Sequence, residues 1–349
     1  MNQESSSTAL QLIRLTPRDV GARSDTFRQF SDLIIENEAA YPAIRQWLHN
    51  KVGSGIRSSE RTAFLGLMDD VPVASAVVKR GKASKFCHLR LHHGIQQQNL
   101  GELFFCLMAA EIRRDACEIH FTLPESLWHQ KKDFFRSFGF ESATKASTQY
   151  RLFDEELKCS ASFETVWRSV LRKLPKLSHL FSIGGHSMES PLIMSMSPVF
   201  AERIFSGHKT VEVRRRFSTK WIGSRAVVYA SSPSRNLLGE ALIANIVADD
   251  PNRIWNTFEN ALGCSREEFE QYVGDSPEVY AIVLDRIVPY LHPIPITQLE
   301  FMLQKEIHPP QSYCTTSGNQ VWSQAVSLAA ILHGSLRLRS DLGMGTAAS

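Results

Sequence analysis

The sequence lacks any hydrophobic run long enough to cross a bilayer. Its longest apolar run, Leu103 to Ala110, is closed by Glu102 and Glu111, whereas a spanning helix needs about 20 apolar residues. It also lacks a secretory leader pattern, because "MNQESSSTAL" has no charged start followed by an apolar core. Paired cysteines are missing too. The six cysteines are scattered with no C-x-x-C, which argues against a zinc site and against a disulfide framework. Reduced thiols and a cytoplasmic location are the expectation, with no membrane partner and no metal. Finally, the chain has little net charge. Its 39 Lys and Arg stand against 36 Asp and Glu, a balance of +3. It is no polycation, so nucleic-acid affinity has to come from a local patch.

What is there is 349 residues of ordinary globular composition, a length that points to two domains. "ALQLIRLTP" reads as a strand, followed by helices near 24–38 and 41–52. "TAFLGLMDDVPVASAVVKRG" reads as a hairpin turning at "DDVP". "KFCHLRLHHGI" is a strand, "LGELFFCLMAAEIRRDAC" an apolar helix, "EIHFTLP" a strand, "SLWHQKKDFFRSFGF" a helix and "QYRLF" a last strand. A polar break at "DEELKCSAS" leads to a short basic helix with Arg168, Arg172, Lys173 and Lys176, then to the Gly/Ser-rich "SIGGHSMESP". From Pro191 the pattern becomes mostly strand, which suggests a small barrel. The small polar residues after about Ser335 read as a disordered tail.

Two stretches carry chemistry. The first is "HHGIQQQNLGELFF", His92 to Phe105, where a polar loop opens an apolar helix. A helix start offers unpaired N–H groups and a positive dipole end, the features that bind a pyrophosphate. An ordinary strand-to-helix connection is the plainer alternative. The second is "KTVEVRRRF". Between Pro191 and Pro310 the chain has twelve Lys and Arg against fourteen Asp and Glu, but from Lys209 to Arg225 it has six against one. If this is a strand, Val211, Val213, Arg215 and Phe217 share one face, and Thr210, Glu212, Arg214 and Arg216 share the other. Arginine forks suit phosphate oxygens and base edges. Glu212 would either hold the arginines or act in acid–base chemistry. Lys209 with a lowered pKa would be a nucleophile or base, whereas pairing with Glu212 would keep it charged. "GHSME" lacks the final glycine of a nucleophile elbow and reads as linker. His92 and His93 lack a partner at metal-ligand spacing.

The order of elements, "IRLTPRD", "DDVPVASAVV" and "FFRSFGF" together resemble the GNAT family of N-acetyltransferases over about residues 8–155. The resemblance implies that Gln96, Gln97, Asn99, Leu100, Gly101 and Glu102 hold the pyrophosphate of acetyl-CoA or another acyl-CoA, with Asn99 where the family has a glycine. It also places Phe135 where the family's thiolate-protonating tyrosine stands. His88 and His129 are the candidate replacements. "PLIMSMSPVFAERIFSGHKTVEVRRRF", "VVYASSPSRNLLGEA" and "VYAIVLDRI" resemble an ASCH domain, related to the PUA fold. That resemblance implies an RNA or modified-nucleotide cleft formed by Lys209, Thr210, Glu212, Arg214 and Arg216, with Ser231, Ser232 and Gly239 beside them. Some ASCH proteins hydrolyse acetylated cytidine with Lys, Thr and Glu. Here Lys209 matches, Glu212 stands at the threonine, and Glu267 or Glu268 falls near the glutamate, so that activity is not expected.

The expected fold class is α+β or α/β, with an N-terminal GNAT-like mixed sheet and a small C-terminal PUA-like β-barrel. The expected domains are 8–155, a basic helix and linker at 156–190, 191–314, and a C-terminal helix and tail at 315–349. Two functions follow as expectations. One is an N-acetyltransferase whose ASCH domain delivers the acceptor. The other is a non-catalytic regulator that senses acyl-CoA and binds nucleic acid.

Overall fold

The computed structural model describes residues 10–20, 24–36, 38–92, 99–180, 182–183, 186–187 and 191–332. The chain forms two compact units, one running to Leu177 and one from Ser178 to His333.

In the first unit, β1 (Leu10–Arg14), β2 (Arg61–Met68), β3 (Val71–Lys79) and β4 (Ala83–Leu91) pair antiparallel in sequence order. The turn between β2 and β3 is Asp69–Asp70, both at positive φ, as a tight hairpin requires. β5 (Glu118–Pro124) lies parallel to β4, and β7 (Glu156–Ser162) and β6 (Ala143–Lys145) follow antiparallel. The seven-stranded order is β1-β2-β3-β4-β5-β7-β6, the mixed GNAT-like sheet expected from the sequence. β4 and β5 pair only at Ala83–Glu118, Ser84–Ile119 and Lys85–His120. Beyond that point the two strands part, and β4 carries a register shift opposite Val77 and Val78.

α1 (Asp25–Ile35) starts at Ser24, whose side chain accepts from Phe27 N. α2 (Ile44–Trp47) passes through a wide π turn at Leu48–Gly53 into α3 (Ser54–Arg57). α4 (Leu100–Glu111) buries Leu100 and every residue from Leu103 to Ala110. A helix apolar on all sides must be covered on all sides. β3 and β4 pack on it from the sheet, and α6 (Phe163–Lys173) also packs against it. α5 (Glu125–Ser137) supplies Trp128, Phe134 and Phe135 to an aromatic cluster around Phe105 and Phe121.

Two expectations need correction here. "QYRLF" is not a strand. It is a loop in which Leu152 and Phe153 are exposed, while Arg151 pairs with the buried Glu156. The sheet's strand is "ELKCSAS", whose exposed Lys158, Ser160 and Ser162 made it look like a polar break. The basic helix is not linker either. α6 buries Phe163, Val166, Trp167 and Val170 within the first unit, which reaches Leu177 rather than 155.

In the second unit a two-residue ribbon, β8 (Ser182–Ile183) with β9 (His186–Ser187), precedes β10 (Leu192–Met196) and α7 (Pro198–Phe205). Gly184, Gly185, Met188, Glu189 and Ser190 of "SIGGHSMESP" lie outside the described residues. β11 (Val211–Arg214), β12 (Arg225–Ala230) and β13 (Asn236–Asp249) lead to α8 (Pro251–Leu262) and α9 (Arg266–Val273). β14 (Val279–Pro295), α10 (Ile296–Leu303), β15 (Tyr313–Thr315) and α11 (Gln320–Leu332) complete it. The sheet order is β11-β14-β13-β12-β10-β15. Only β10 with β12 is parallel among these pairs. Three register shifts along β13 and β14 bend this pair of long strands, so the sheet curls into a half-barrel of PUA-like form. One core, with Met194, Val228, Ile243 and Ile282, packs under α7. Another, with Val211, Val213, Val279 and Ala281, packs against Ile254, Leu262 and Phe269 of α8 and α9.

Placing α6 in the first unit has a measurable consequence. Trp167 is 2% exposed, stacks on Phe163 and lies under the Arg113 guanidinium. Trp167→Ala should lower the unfolding free energy of the first unit by about 3–5 kcal/mol, read by denaturant titration. A linker residue would leave it within about 0.5 kcal/mol.

Candidate functional site

The second unit holds a cavity of about 630 Å³, within the usual range for small-ligand sites. Its floor is built on the basic stretch. β11 is only four residues long and ends at Arg214, so the expected strand stops before Arg215. Val211 and Val213 pack into the α8–α9 core, as the alternation requires. Glu212 and Arg214 take the opposite face and line the cavity with Lys209.

These three side chains form one buried ion-pair chain. Lys209 is 4% exposed, Glu212 7% and Arg214 8%. Lys209 Nζ lies 3.3 Å from Glu212 Oε2, and Arg214 contacts Glu212 Oε1 at 2.9 Å. Lys209 also donates to Val211 O at 2.8 Å and Leu262 O at 2.7 Å. Its three hydrogens therefore have three acceptors. Arg214 donates to Ser195 O at 2.7 Å and to Ser312 Oγ at 3.3 Å, while its Nε is buried without a partner. Unpaired charges at this burial would be strongly destabilising.

Neighbouring elements hold the floor. Gly263 ends α8 in the left-handed region, at φ +63. A Cβ there would sit 2.8 Å from Lys209 Cβ and 2.9 Å from His208 O. Its absence lets the end of α8 approach Lys209 closely enough to accept its ammonium. Phe200 on α7 places its ring 5.3 Å from Lys209 Nζ. The walls add Tyr229, Phe269 and Tyr272, and Arg215 lies 5.5 Å over the exposed Tyr272 ring. Cys264 also lines the cavity, and burial pushes its thiol above the ordinary range.

The expected cleft residues divide. Lys209, Glu212, Arg214, Ser231 and Ser232 line the cavity. Thr210, Arg216 and Gly239 do not. Thr210 is exposed and its backbone bridges Ala261 and Leu284. Arg216 is exposed beyond the strand. Gly239 is a packing glycine, since a Cβ there would meet Val288 O at 2.4 Å and the Phe205 ring at 2.5 Å. Arg215, expected on the face of the valines, is not among the lining residues and sits over Tyr272 of α9, the helix toward which those valines pack. Of the two glutamates left open, Glu268 lines the cavity. It is engaged in a capping box with Ser265 and lies 3.7 Å from Arg203. Sequence reasoning missed α8, though Asp250 followed by Pro251 is a helix start signal, and Asp250 does cap Asn252 and Arg253.

In the first unit Gln96 and Gln97 lie outside the described residues. Asn99 has φ 57 and ψ 8, the left-handed region, and makes no side-chain cap to α4. This is a conformation that glycine adopts freely and asparagine more readily than most other residues. A Cβ on Gly101 would make only ordinary contacts, 3.7 Å from Leu91 and 3.8 Å from Phe134. The first turn, Leu100 to Glu102, thus retains N–H groups without a side-chain cap. Glu102 is tied to Lys173 at 2.6 Å. Lys173, one of the four cations of the basic helix, also lies 4.8 Å over the Phe138 ring.

The two histidines differ. His129 is exposed on α5, 3.6 Å from Glu125. His88 sits on β4 past the last pairing with β5, with Nε2 2.9 Å from Ser75 Oγ. Burial, followed by the Arg90 charge, lowers its pKa to about 4. Phe135 stacks on Trp128 and packs on Phe121. It contributes no proton.

A family model described as "Domain of unknown function (DUF365)" matches residues 192–302. An "ASCH domain-containing ribonuclease" of Zymomonas mobilis is 32% identical over 120 residues, 34% of this chain and 80% of that one. The crystal structure of ASCH from Zymomonas mobilis aligns at 30% identity and a TM-score of 0.36, covering 40% of this chain and 94% of that one. A putative GNAT-family acetyltransferase from Desulfovibrio desulfuricans aligns at 13% identity and a TM-score of 0.34, covering 44% and 99%.

The His88 environment sets a pH response. Below about pH 6.5 the unfolded chain takes up a proton that folded His88 accepts only near pH 4. Stability from this group is present above that window and lost as pH falls through it. Denaturation midpoints at pH 7 and pH 5 should fall further apart in the wild type than in His88→Gln.

Proposed function

Because the chain belongs to the ASCH domain family, we propose that its second unit binds an RNA nucleotide, plain or modified, in the cavity above Lys209, Glu212 and Arg214. We further propose that its first unit is an acyl-CoA-dependent N-acetyltransferase acting on an amine that the RNA-binding unit brings to it. The acceptor is then an RNA base, an aminoacyl-tRNA or an RNA-associated protein, and the protein works in the cytoplasm.

The observation that carries the nucleotide reading is the cavity with its compensated charged floor and aromatic walls. Unpaired bases are recognised by stacking and by hydrogen bonds to their edges. Phe200, Phe269 and Tyr272 offer the first, and the Glu212 carboxylate offers the second. Arg215 and Arg216 lie exposed next to the floor and suit backbone phosphates. The relative's ribonuclease name raises cleavage as another use of the same cavity. Cleavage needs a proton acceptor and a donor. Lys209 already serves three acceptors and Glu268 a helix cap, which favours binding over cleavage.

For the first unit the residues fit acetyl-CoA. Asn99, Leu100 and Gly101 would hold its pyrophosphate on uncapped N–H groups at the positive end of α4. When bound, acetyl-CoA supplies the thioester that an amine attacks. His88 has the geometry of a fixed neutral imidazole, with Ser75 orienting its Nε2. Phe135 in place of a proton donor favours the second reading, a regulator that binds acyl-CoA and nucleic acid without turnover.

Two measurements test these readings. Calorimetry should detect acetyl-CoA binding, and thiol release should appear with an RNA or amine acceptor. Binding without release leaves the regulator, and no binding removes both readings of the first unit. For the second unit, the slope of log affinity against log salt for single-stranded RNA should drop by about one for each of Arg215→Ala and Arg216→Ala. Unchanged slopes would remove these arginines from the phosphate path.

A further inference from the structure

We infer that the cavity takes a base carrying an exocyclic amino group, that Glu212 is the acceptor selecting it, and that the phosphates stay outside. This rests on the nucleotide-binding reading above and specifies what the cavity reads.

The inference follows from counting donors and acceptors on the floor. A phosphate buried there would need uncommitted N–H groups. Lys209 has none, because Val211 O, Leu262 O and Glu212 Oε2 take all three. Arg214 directs one terminal nitrogen to Ser195 O and Glu212, and the other to Ser312 Oγ, which leaves its buried Nε as the one nitrogen without a protein partner. A phosphate needs several donors at once, and here most of those that look like phosphate ligands in the sequence are engaged in holding a carboxylate and backbone carbonyls.

The carboxylate itself is not saturated. Two carboxylate oxygens offer about four acceptor directions. Glu212 receives Lys209 on one oxygen and Arg214 on the other, so it retains acceptor capacity toward the cavity it lines. Such a group favours an N–H donor and disfavours a carbonyl oxygen. Cytosine N4, adenine N6 and guanine N2 are amino donors at a base edge, and uracil presents a carbonyl where cytosine presents its amino group. Phe200, Tyr229, Phe269 and Tyr272 provide flat apolar walls for the ring. Outside, Arg215 over Tyr272 and the exposed Arg216 are placed for the backbone. The run of three arginines is therefore split, with Arg214 inside as scaffold and the next two outside.

The test uses the full chain and ligands rather than variants first. Cytidine, adenosine, guanosine, uridine and N4,N4-dimethylcytidine are titrated by calorimetry, alongside CMP, UMP and inorganic phosphate. The amino nucleosides should bind about tenfold tighter than uridine. Dimethylcytidine, which has lost its amino hydrogens, should fall to the uridine level. CMP should match cytidine within a few fold, and inorganic phosphate should not displace cytidine. Glu212→Gln, checked for folding by thermal melting, should collapse the preference, because its amide also donates to a carbonyl. Equal binding of uridine and cytidine, or displacement of cytidine by phosphate, overturns the inference while RNA binding stands. Failure of both nucleosides and single-stranded RNA to bind overturns the nucleotide reading and the inference together.

Discussion

A single buried carboxylate organises the second unit. Glu212 cannot lie at 7% exposure without compensation, and its two partners cannot do so without it. Each partner then reaches for backbone. Lys209 ties β11 to the end of α8 through Leu262 O. Arg214 ties β11 to β10 through Ser195 O, and to the segment before β15 through Ser312. Four segments thus converge on one side chain. A core of this size could be held by apolar contact alone, and a hydrophobic replacement is often as stable. What the ions add is a polar floor of fixed geometry at the end of an apolar cavity.

A second buried ionic group in the same unit shows the contrast. Arg225 donates to Glu240, and Tyr290 donates to the same carboxylate at 2.6 Å. Burial lowers Arg225 to about 10 and raises Tyr290 to about 12, so both keep their neutral-pH forms. These three do not line the cavity and bind three strands of the curled sheet to one another. The same chemistry therefore serves cohesion at one end of β13 and shapes the cavity floor beside β11. Position relative to the cavity separates the two roles, and residue type does not.

Much of this was legible in the sequence, where periodicity carries the information. α4 stood out because it is apolar on every face, and β11 because its valines alternate with charges. Glu212 and Arg214 followed from that alternation, and Lys209 from the resemblance to ASCH domains. The errors have local physical causes. β7 reads as polar because only Leu157, Cys159 and Ala161 face inward. "QYRLF" reads as a strand because its apolar residues are exposed on a loop held by Arg151 and Glu156. Thr210 and Arg216 obey the alternation on paper, yet β11 begins after the first and ends before the second. Phe200, Gly263 and Tyr272 were illegible, because their place beside Lys209 and Arg215 depends on tertiary packing.

The same electrostatic logic recurs in the first unit. Glu102 lies in the first turn of α4, where a carboxylate would repel the pyrophosphate expected there. Its charge also suits the helix dipole, so it stabilises the helix while opposing the ligand. Lys173, from a helix that follows the sheet in sequence, meets it at 2.6 Å. The pair leaves the dipole and the uncapped N–H groups to act on an anion. In both units an acidic side chain sits where a ligand is expected, and a lysine buried or half-buried beside it removes the conflict. That lysine comes from 71 residues away in one case and from three residues away in the other. Counting basic residues in a run therefore misjudges both sites. What a ligand meets is set by which donors and acceptors remain after the protein has satisfied its own.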